Sequence, residues 1–223
     1  CSSDLPGQRS RLWNHDAPVI DQGDLGCCTG AATAQLLNCS VMQLARRAAR
    51  GDDDYLDLDD AVGLYARATQ LDNFAGEYPP EDTGSSGLAI AKAAAEAGYI
   101  SQYRHAFGFE HFLSAIQMAP LIVGTAWYSD MSKPKRNARV TPTGRNLGGH
   151  EYLCIGVNFD DELLTFLNSW GPDYGKNGRF RMAFADFEKL LLDDGDATVL
   201  VGAVPKPKVD PEKPLHAAPD VKE

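Results

Sequence analysis

Behind a polar lead-in, apolar side chains recur at helical intervals. Leu37, Val41, Leu44 and Ala48 are spaced by four, three and four residues, predicting a helix from Cys28 to about Arg50. Arg46, Arg47 and Arg50 suit its C-terminal end, and Gly51 stops it. A second helix is predicted from about Asp60 to Leu71, carried by Val62, Tyr65, Ala66 and Thr69. A third spans about Ser86 to Ala97, closed by Gly98, and a short fourth around Phe109, Phe112, Leu113 and Ile116 ends before Pro120. Beyond Pro120 the pattern changes to short apolar runs divided by turn residues. These predict strands at Leu121–Trp127, Tyr152–Phe159, Leu163–Leu167, Arg179–Phe184 and Thr198–Ala203. Helices followed by strands, without strict alternation, indicate an α+β protein whose halves form two lobes with a cleft between them.

Composition narrows the classes. The 223 residues are 43% hydrophobic and 23% charged, ordinary for a chain that buries a core and unlike a disordered or fibrous one. No apolar run approaches the roughly 18 residues that a membrane-spanning helix needs. A net charge of -10 and a pI near 4.9, without a basic cluster, exclude nucleic acid as the main partner. From Pro205 the chain turns to Pro, Lys, Asp and Glu, so 205–223 is expected to be an extended tail. The aspartate run Asp52-Asp53-Asp54 with Asp57, Asp59 and Asp60 lacks the glycine and closing glutamate of a calcium loop; a solvated loop with a helix N-cap is expected.

Five cysteines, Cys1, Cys27, Cys28, Cys39 and Cys154, are too few and too scattered for a disulfide framework. An odd count leaves a free thiol, either a small buried hydrophobe or a reactive group. Cys39 on a helical apolar face and Cys154 inside a strand fit packed thiols. Cys1-Ser2-Ser3 has the form of a mature bacterial lipoprotein start, so an exported or surface-anchored location is the expectation, with other origins of this end left open.

Three stretches carry the chemistry. In Gln22-Gly23-Asp24-Leu25-Gly26-Cys27-Cys28, two glycines permit a tight path into a helix whose first residue is a cysteine. A thiol there faces unpaired N–H groups and the positive end of the helix dipole, which favour thiolate. The Gln22 amide can fold back to join the Cys28 N–H as a second donor for an oxyanion. Gly148-Gly149-His150-Glu151-Tyr152 opens one strand with a histidine, and Leu167-Asn168-Ser169-Trp170-Gly171 closes the next. If these strands pair antiparallel through a turn at Asp160-Asp161, His150 and Asn168 meet at the open end. Asn168 then accepts a hydrogen bond from one imidazole nitrogen while the other faces Cys28, and Trp170 shields the pair. His15, His105, His111 and His216 have no motif around them, and surface or satisfied roles are expected. No zinc-binding spacing is present, and neither metal nor cofactor is implied.

These residues together resemble the papain family of cysteine peptidases. Cys28 lies 122 residues before His150 and 140 before Asn168, against roughly 130–150 for that family. The resemblance covers about Pro18 to Val204 and includes Asn168-Ser169-Trp170-Gly171 followed by Tyr174-Gly175-Lys176-Asn177-Gly178-Arg179-Phe180. It implies Cys28 as nucleophile, His150 as acid and base, Asn168 as orienter and Gln22 as oxyanion donor. The six-residue interval from Gln22 selects Cys28 over Cys27. It also implies a two-lobed papain-like fold: a helical lobe over about 18–105, an antiparallel β-barrel-like lobe over about 106–204, and a lead-in at 1–17. Leu25-Gly26-Cys27-Cys28-Thr29 departs from Cys-Gly-Ser-Cys-Trp, so the family's usual first disulfide cannot form, and the pattern is nearer the compact bacterial or viral branch.

By the same resemblance Cys28 and His150 rest as thiolate and imidazolium, and the substrates are peptides or unfolded proteins. A monomer is expected, and an N-terminal propeptide or self-inhibitory segment is left open. Gly84, Ser85 and Ser86 bind substrate backbone, the strand from Leu121 to Gly124 with Gly149 and Glu151 builds part of the pocket for the residue two before the scissile bond, and Trp170 also contacts substrate. Gly124 enlarges that pocket, and Glu151 either places a carboxylate in it for a basic or polar side chain or turns to solvent or an arginine. Two other classes use related parts: a transglutaminase-like acyl transferase, whose third residue is usually aspartate, and a catalytically silent peptide-binding module.

Overall fold

A computed structural model of the chain describes residues 8–203. Cys1 and the segment from 204 onward, including the proline-rich tail, lie outside the described residues. In chain order the elements are β1 (Arg11–Leu12), α1 (Cys28–Leu37), α2 (Ser40–Arg50), α3 (Leu58–Thr69) and α4 (Gly87–Glu96). They continue with β2 (Gln102–His105), α5 (Gly108–Ile116), β3 (Leu121–Tyr128), a short 3-10 turn at Ser129–Ser132, β4 (Asn146–Asn158) and β5 (Leu163–Leu167). The last are β6 (Arg179–Ala183), α6 (Phe184–Leu192) and β7 (Asp196–Val201). The α+β class holds, and the fold is helical first and antiparallel β afterwards.

The single helix expected over 28–50 is two. Asn38, buried, donates to the Leu56 carbonyl at 2.8 Å and accepts from the Leu56 N–H at 2.9 Å, while Cys39 adopts an extended backbone and caps α2. A side chain spent on another segment ends α1 where apolar spacing alone carried it on. The apolar stripe did not survive the break: Val41 and Leu44 are 40% and 65% exposed. Arg46 faces inward instead, completely buried, donating to the carbonyls of Leu37 and Asp54 and pairing with Asp52 at 3.3 Å. The aspartate run closes with a capping box, Asp57 accepting from the Asp59 and Asp60 amides and Asp60 from the Asp57 amide.

Among the described residues the sheet runs β2-β7-β3-β4-β5-β6, with β1 added to β4. Every pairing is antiparallel. Its path is open, ending at β2 and β6, so the barrel-like lobe is an unclosed sheet. Alternate residues of the central strands enter two cores: Ile122, Leu153 and Ile155 join α1 to α4, while Val123, Tyr152 and Cys154 join α5 and α6. Both faces are thus covered, which accounts for the continuous apolar runs that mark these strands. β2 was not foreseen, because its Gln-Tyr-Arg-His sequence is polar and alternately exposed at the sheet edge. It also puts sheet residues before position 106. Phe184, expected to end a strand, opens α6, whose Phe187, Leu190 and Leu191 are buried at helical spacing.

Candidate active site

β4 is longer than predicted and carries Gly148, Gly149 and His150 as part of the strand. Its pairing with β5 places Leu153 opposite Leu167, so His150 and Asn168 do meet just beyond the end of that ladder. His150 Nε2 lies 2.7 Å from Asn168 Oδ1. The same oxygen accepts from the Ser169 N–H at 2.9 Å, so it is the carbonyl side of the amide, and His150 Nε2 carries the hydrogen. That tautomer leaves Nδ1 as an acceptor for the thiol. Asn168 is fully buried and held from behind by Gln35 of α1, whose Nε2 donates to its carbonyl at 3.4 Å. The Trp170 ring lies 5.0 Å from the imidazole at 34°, and Trp127 stands edge-on to it at 4.8 Å. Trp127 was not singled out from sequence; its place in an apolar strand gave no functional signal.

Cys28 is the first residue of α1, with Cys27 as its N-cap. Its sulfur lies against the backbone N–H of Glu151, next to His150. Gln22 is pinned at both ends of its amide, the carbonyl accepting from Ser169 Oγ at 2.6 Å and Nε2 donating to the Leu25 carbonyl at 2.8 Å. The NH2 is therefore turned into the loop that leads to Cys28. Cys27, Cys39 and Cys154 are buried.

Gln22, Cys28, Gly84, Ser85, Ser86, Gly124, Gly149, His150, Glu151 and Trp170 all line one cavity of about 840 Å³. Asn168 stands behind His150 rather than in the lining. Burial acts on both members of the pair. It pushes the Cys28 thiol up to about 12 and lowers His150 to about 4, the latter against a smaller opposing contribution from Asn168. The backbone N–H groups of Glu151 and Thr29 act on the sulfur in the opposite sense and favour thiolate.

Glu151 neither turns to solvent nor pairs with an arginine. It is 4% exposed, and its Oε1 has no hydrogen-bond partner. The sheet register explains its company: Gly124 of β3 is paired with Glu151 on one side and with Asp196 of β7 on the other. With glycine between them, the two carboxylates share a face. A side chain beginning at Gly124 would start 2.6 Å from Glu151 Oε2 and 3.4 Å from Asp196 Oδ2. Asp196 Oδ1 is likewise buried without a partner. Burial, then the Asp196 charge, raises Glu151 well above the carboxylate range, and burial raises Asp196 despite the nearby His105 and the Gly124 N–H. Asp196 was missed because nothing local distinguishes it from its neighbours Asp193 and Asp194.

Comparisons with known proteins bear on the fold. No family model matches. A stretch of 115 residues is 28% identical to Cathepsin B-like CP3 of Giardia intestinalis, covering 47% of this chain and 38% of that protein. Another of 93 residues is 31% identical to Cathepsin B-like cysteine proteinase 4 of Caenorhabditis elegans, covering 41% and 26%. The matches thus span well under half the length of these relatives. Among solved structures, xylellain, a cysteine protease from Xylella fastidiosa, superposes with a TM-score of 0.54 at 19% identity, over 87% of this chain and 86% of that one. The Carica candamarcensis cysteine protease CMS1MS2, solved with E-64, gives 0.58 at 14% identity over 84% and 93%. These likenesses establish the architecture: the chain has a papain-like cysteine-peptidase fold.

Proposed function

We propose that the chain hydrolyses peptide bonds through Cys28. The observation that carries this is the 2.7 Å His150–Asn168 bond, which fixes the imidazole tautomer in the cavity that Cys28 lines. His150 Nδ1 takes the thiol proton as sulfur attacks the substrate carbonyl carbon, forming the C–S bond and moving the carbonyl pair onto oxygen. Gln22 Nε2 and the Cys28 N–H hold that oxyanion. The C–N bond breaks as His150 protonates the leaving amine. Water, deprotonated by His150, then cleaves the thioester and the proton returns to sulfur. Asn168 keeps the ring oriented throughout, under the cover of Trp170 and Trp127. The test is incubation with E-64 followed by mass mapping: a covalent adduct on the peptide bearing Cys28, with matching loss of hydrolysis of an unfolded protein, is expected. An unlabelled Cys28 together with undiminished hydrolysis would refute the assignment.

The same reading extends to the side-chain pocket. Two unpartnered carboxylate oxygens beside a glycine suit a guanidinium or ammonium group of the substrate, since a cation restores the solvation they have lost. The pair holds a proton at low pH and gives it up as pH rises through its raised range. Preference for arginine over its uncharged isostere citrulline in matched fluorogenic peptides is therefore expected to increase from pH 5 to pH 8. Glu151→Gln should cut that preference by roughly tenfold or more. Equal kcat/KM for the two peptides at every pH would remove the cation subsite while leaving the hydrolase reading intact.

A further inference from the structure

The loop from Gln22 to Cys28 must hold two oxyanion donors in place without a disulfide; the described cysteines are free. Its inner side is fastened by the Gln22–Ser169 contacts. On the other side, the Gly26 N–H donates to Asp82 Oδ2 at 2.8 Å. The carboxylate's other oxygen, Oδ1, accepts from the Tyr65 hydroxyl at 2.6 Å. That hydroxyl oxygen in turn accepts from the Gly84 N–H at 3.0 Å. One phenol and one carboxylate therefore join the thiol loop to the 84–86 wall of the cleft.

The joint is tight. A side chain at Gly26 would begin 2.7 Å from Asp82 Oδ1, so only glycine lets the carboxylate reach the backbone. Tyr65 is completely buried on α3. That helix is pressed against α1 at Gly30, two residues past Cys28, where any side chain would collide with the Ala61 carbonyl. The phenol thus cannot drift relative to the helix that carries the nucleophile.

We infer that Asp82, gripped by Tyr65, is a positioning residue that sets the geometry of the oxyanion site through the Gly26 amide. The inference rests on the hydrolase reading above. Its physical basis is that oxyanion donors work only within a few tenths of an ångström of their place, and Gly26 is two residues before the Cys28 N–H and next to Leu25, which holds the Gln22 NH2. A bond to an ionised acceptor is also stronger than a neutral one, so this is a stiff fastening.

The experiment compares Tyr65→Phe, Asp82→Ala, Asp82→Asn and the Tyr65→Phe/Asp82→Ala double variant in the full chain. Each is assayed on one fluorogenic peptide, with active thiol titrated by E-64 so that rates are expressed per labelled Cys28. Tyr65→Phe and Asp82→Ala are expected to lower kcat about tenfold with KM within about twofold, and the double variant to fall no further than Asp82→Ala. Asp82→Asn, which keeps an oxygen for the Gly26 N–H, is expected to restore most of the rate. If rates per titrated thiol match the unaltered protein, with losses only in titre or thermal midpoint, the brace is structural and the inference is overturned. Additive losses overturn it too. Should Asp82→Ala not fold, Tyr65→Phe and Asp82→Asn carry the same comparison. An unaltered protein that neither cleaves peptide nor labels at Cys28 brings down the hydrolase reading, and this inference with it.

Discussion

Cys28→Ala is expected to lower peptide hydrolysis by roughly four to six orders of magnitude, to the level left by binding and the oxyanion donors alone. Cys27→Ala is expected to keep most of the activity. The two sulfurs are neighbours in sequence, yet the fold treats them differently. Cys27 is the N-cap of α1 and fully buried, and burial raises its thiol to about 11. Cys28 opens the helix into the cavity shared with His150. Loss of Cys27 removes one buried sulfur and should cost on the order of 1 kcal/mol of stability, read as a small shift in urea midpoint. Gln22→Ala falls between the two, at about 100-fold to 1,000-fold in kcat, because it removes one of two oxyanion donors. Steady-state kinetics on the three variants, with circular dichroism to verify folding, decides the ranking. Activity surviving in Cys28→Ala and lost in Cys27→Ala would reverse the nucleophile assignment.

How much of this was visible in the letters depends on whether a residue acts through its neighbours in sequence or through strands brought together later. The thiol loop and the Asn-Ser-Trp-Gly strand end are local patterns, and each set its backbone as expected, whereas the strand expected to open at His150 begins at Asn146. Even the meeting of His150 with Asn168 followed, because a hairpin closed at a two-aspartate turn brings those ends of its two strands together. The carboxylate pair was half legible. Glu151 stands in a motif, but Asp196 reaches it only through Gly124 on an intervening strand, and no sequence interval announces a three-strand rung. Tyr65 and Asp82 were invisible for the same reason: one stood at a helix-period position, the other in no motif, and only the fold joins them to Gly26. Expectation failed outright where a polar side chain overrode apolar spacing, as Asn38 did at the α1–α2 break.

His15 also departs from expectation, and it carries the second large effect. It was expected to be exposed or satisfied. Instead it is 4% exposed with neither ring nitrogen bonded, while its own carbonyl accepts from Arg179 at 2.9 Å. Burial first, then the Arg179 charge, lowers it to about 4, with its own backbone and then Asp16 opposing. The sign follows from linkage. The unfolded chain, with histidine near 6.5, binds a proton that the folded chain refuses until about pH 4. The neutral imidazole therefore contributes its full stability above pH 6.5, and that contribution is lost as pH falls toward 4. At 1.36 kcal/mol per unit the loss is on the order of 3 kcal/mol. His150, lowered for a similar reason, adds to it, whereas the raised Glu151 and Asp196 oppose it by holding protons that the unfolded chain lacks. The net slope of the whole protein is thus a poor measure, and the difference between the protein and His15→Leu is a good one. Urea unfolding at pH 7, 5.5 and 4.5 is expected to show the substituted protein gaining on the original by about 1.4 kcal/mol per pH unit below 6.5. At pH 7 the two should be nearly equal, or His15→Leu slightly ahead, since it removes two buried polar atoms without partners. A difference that stays constant with pH would mean that His15 is protonated alike in both states, and its burial in the fold would then be wrong.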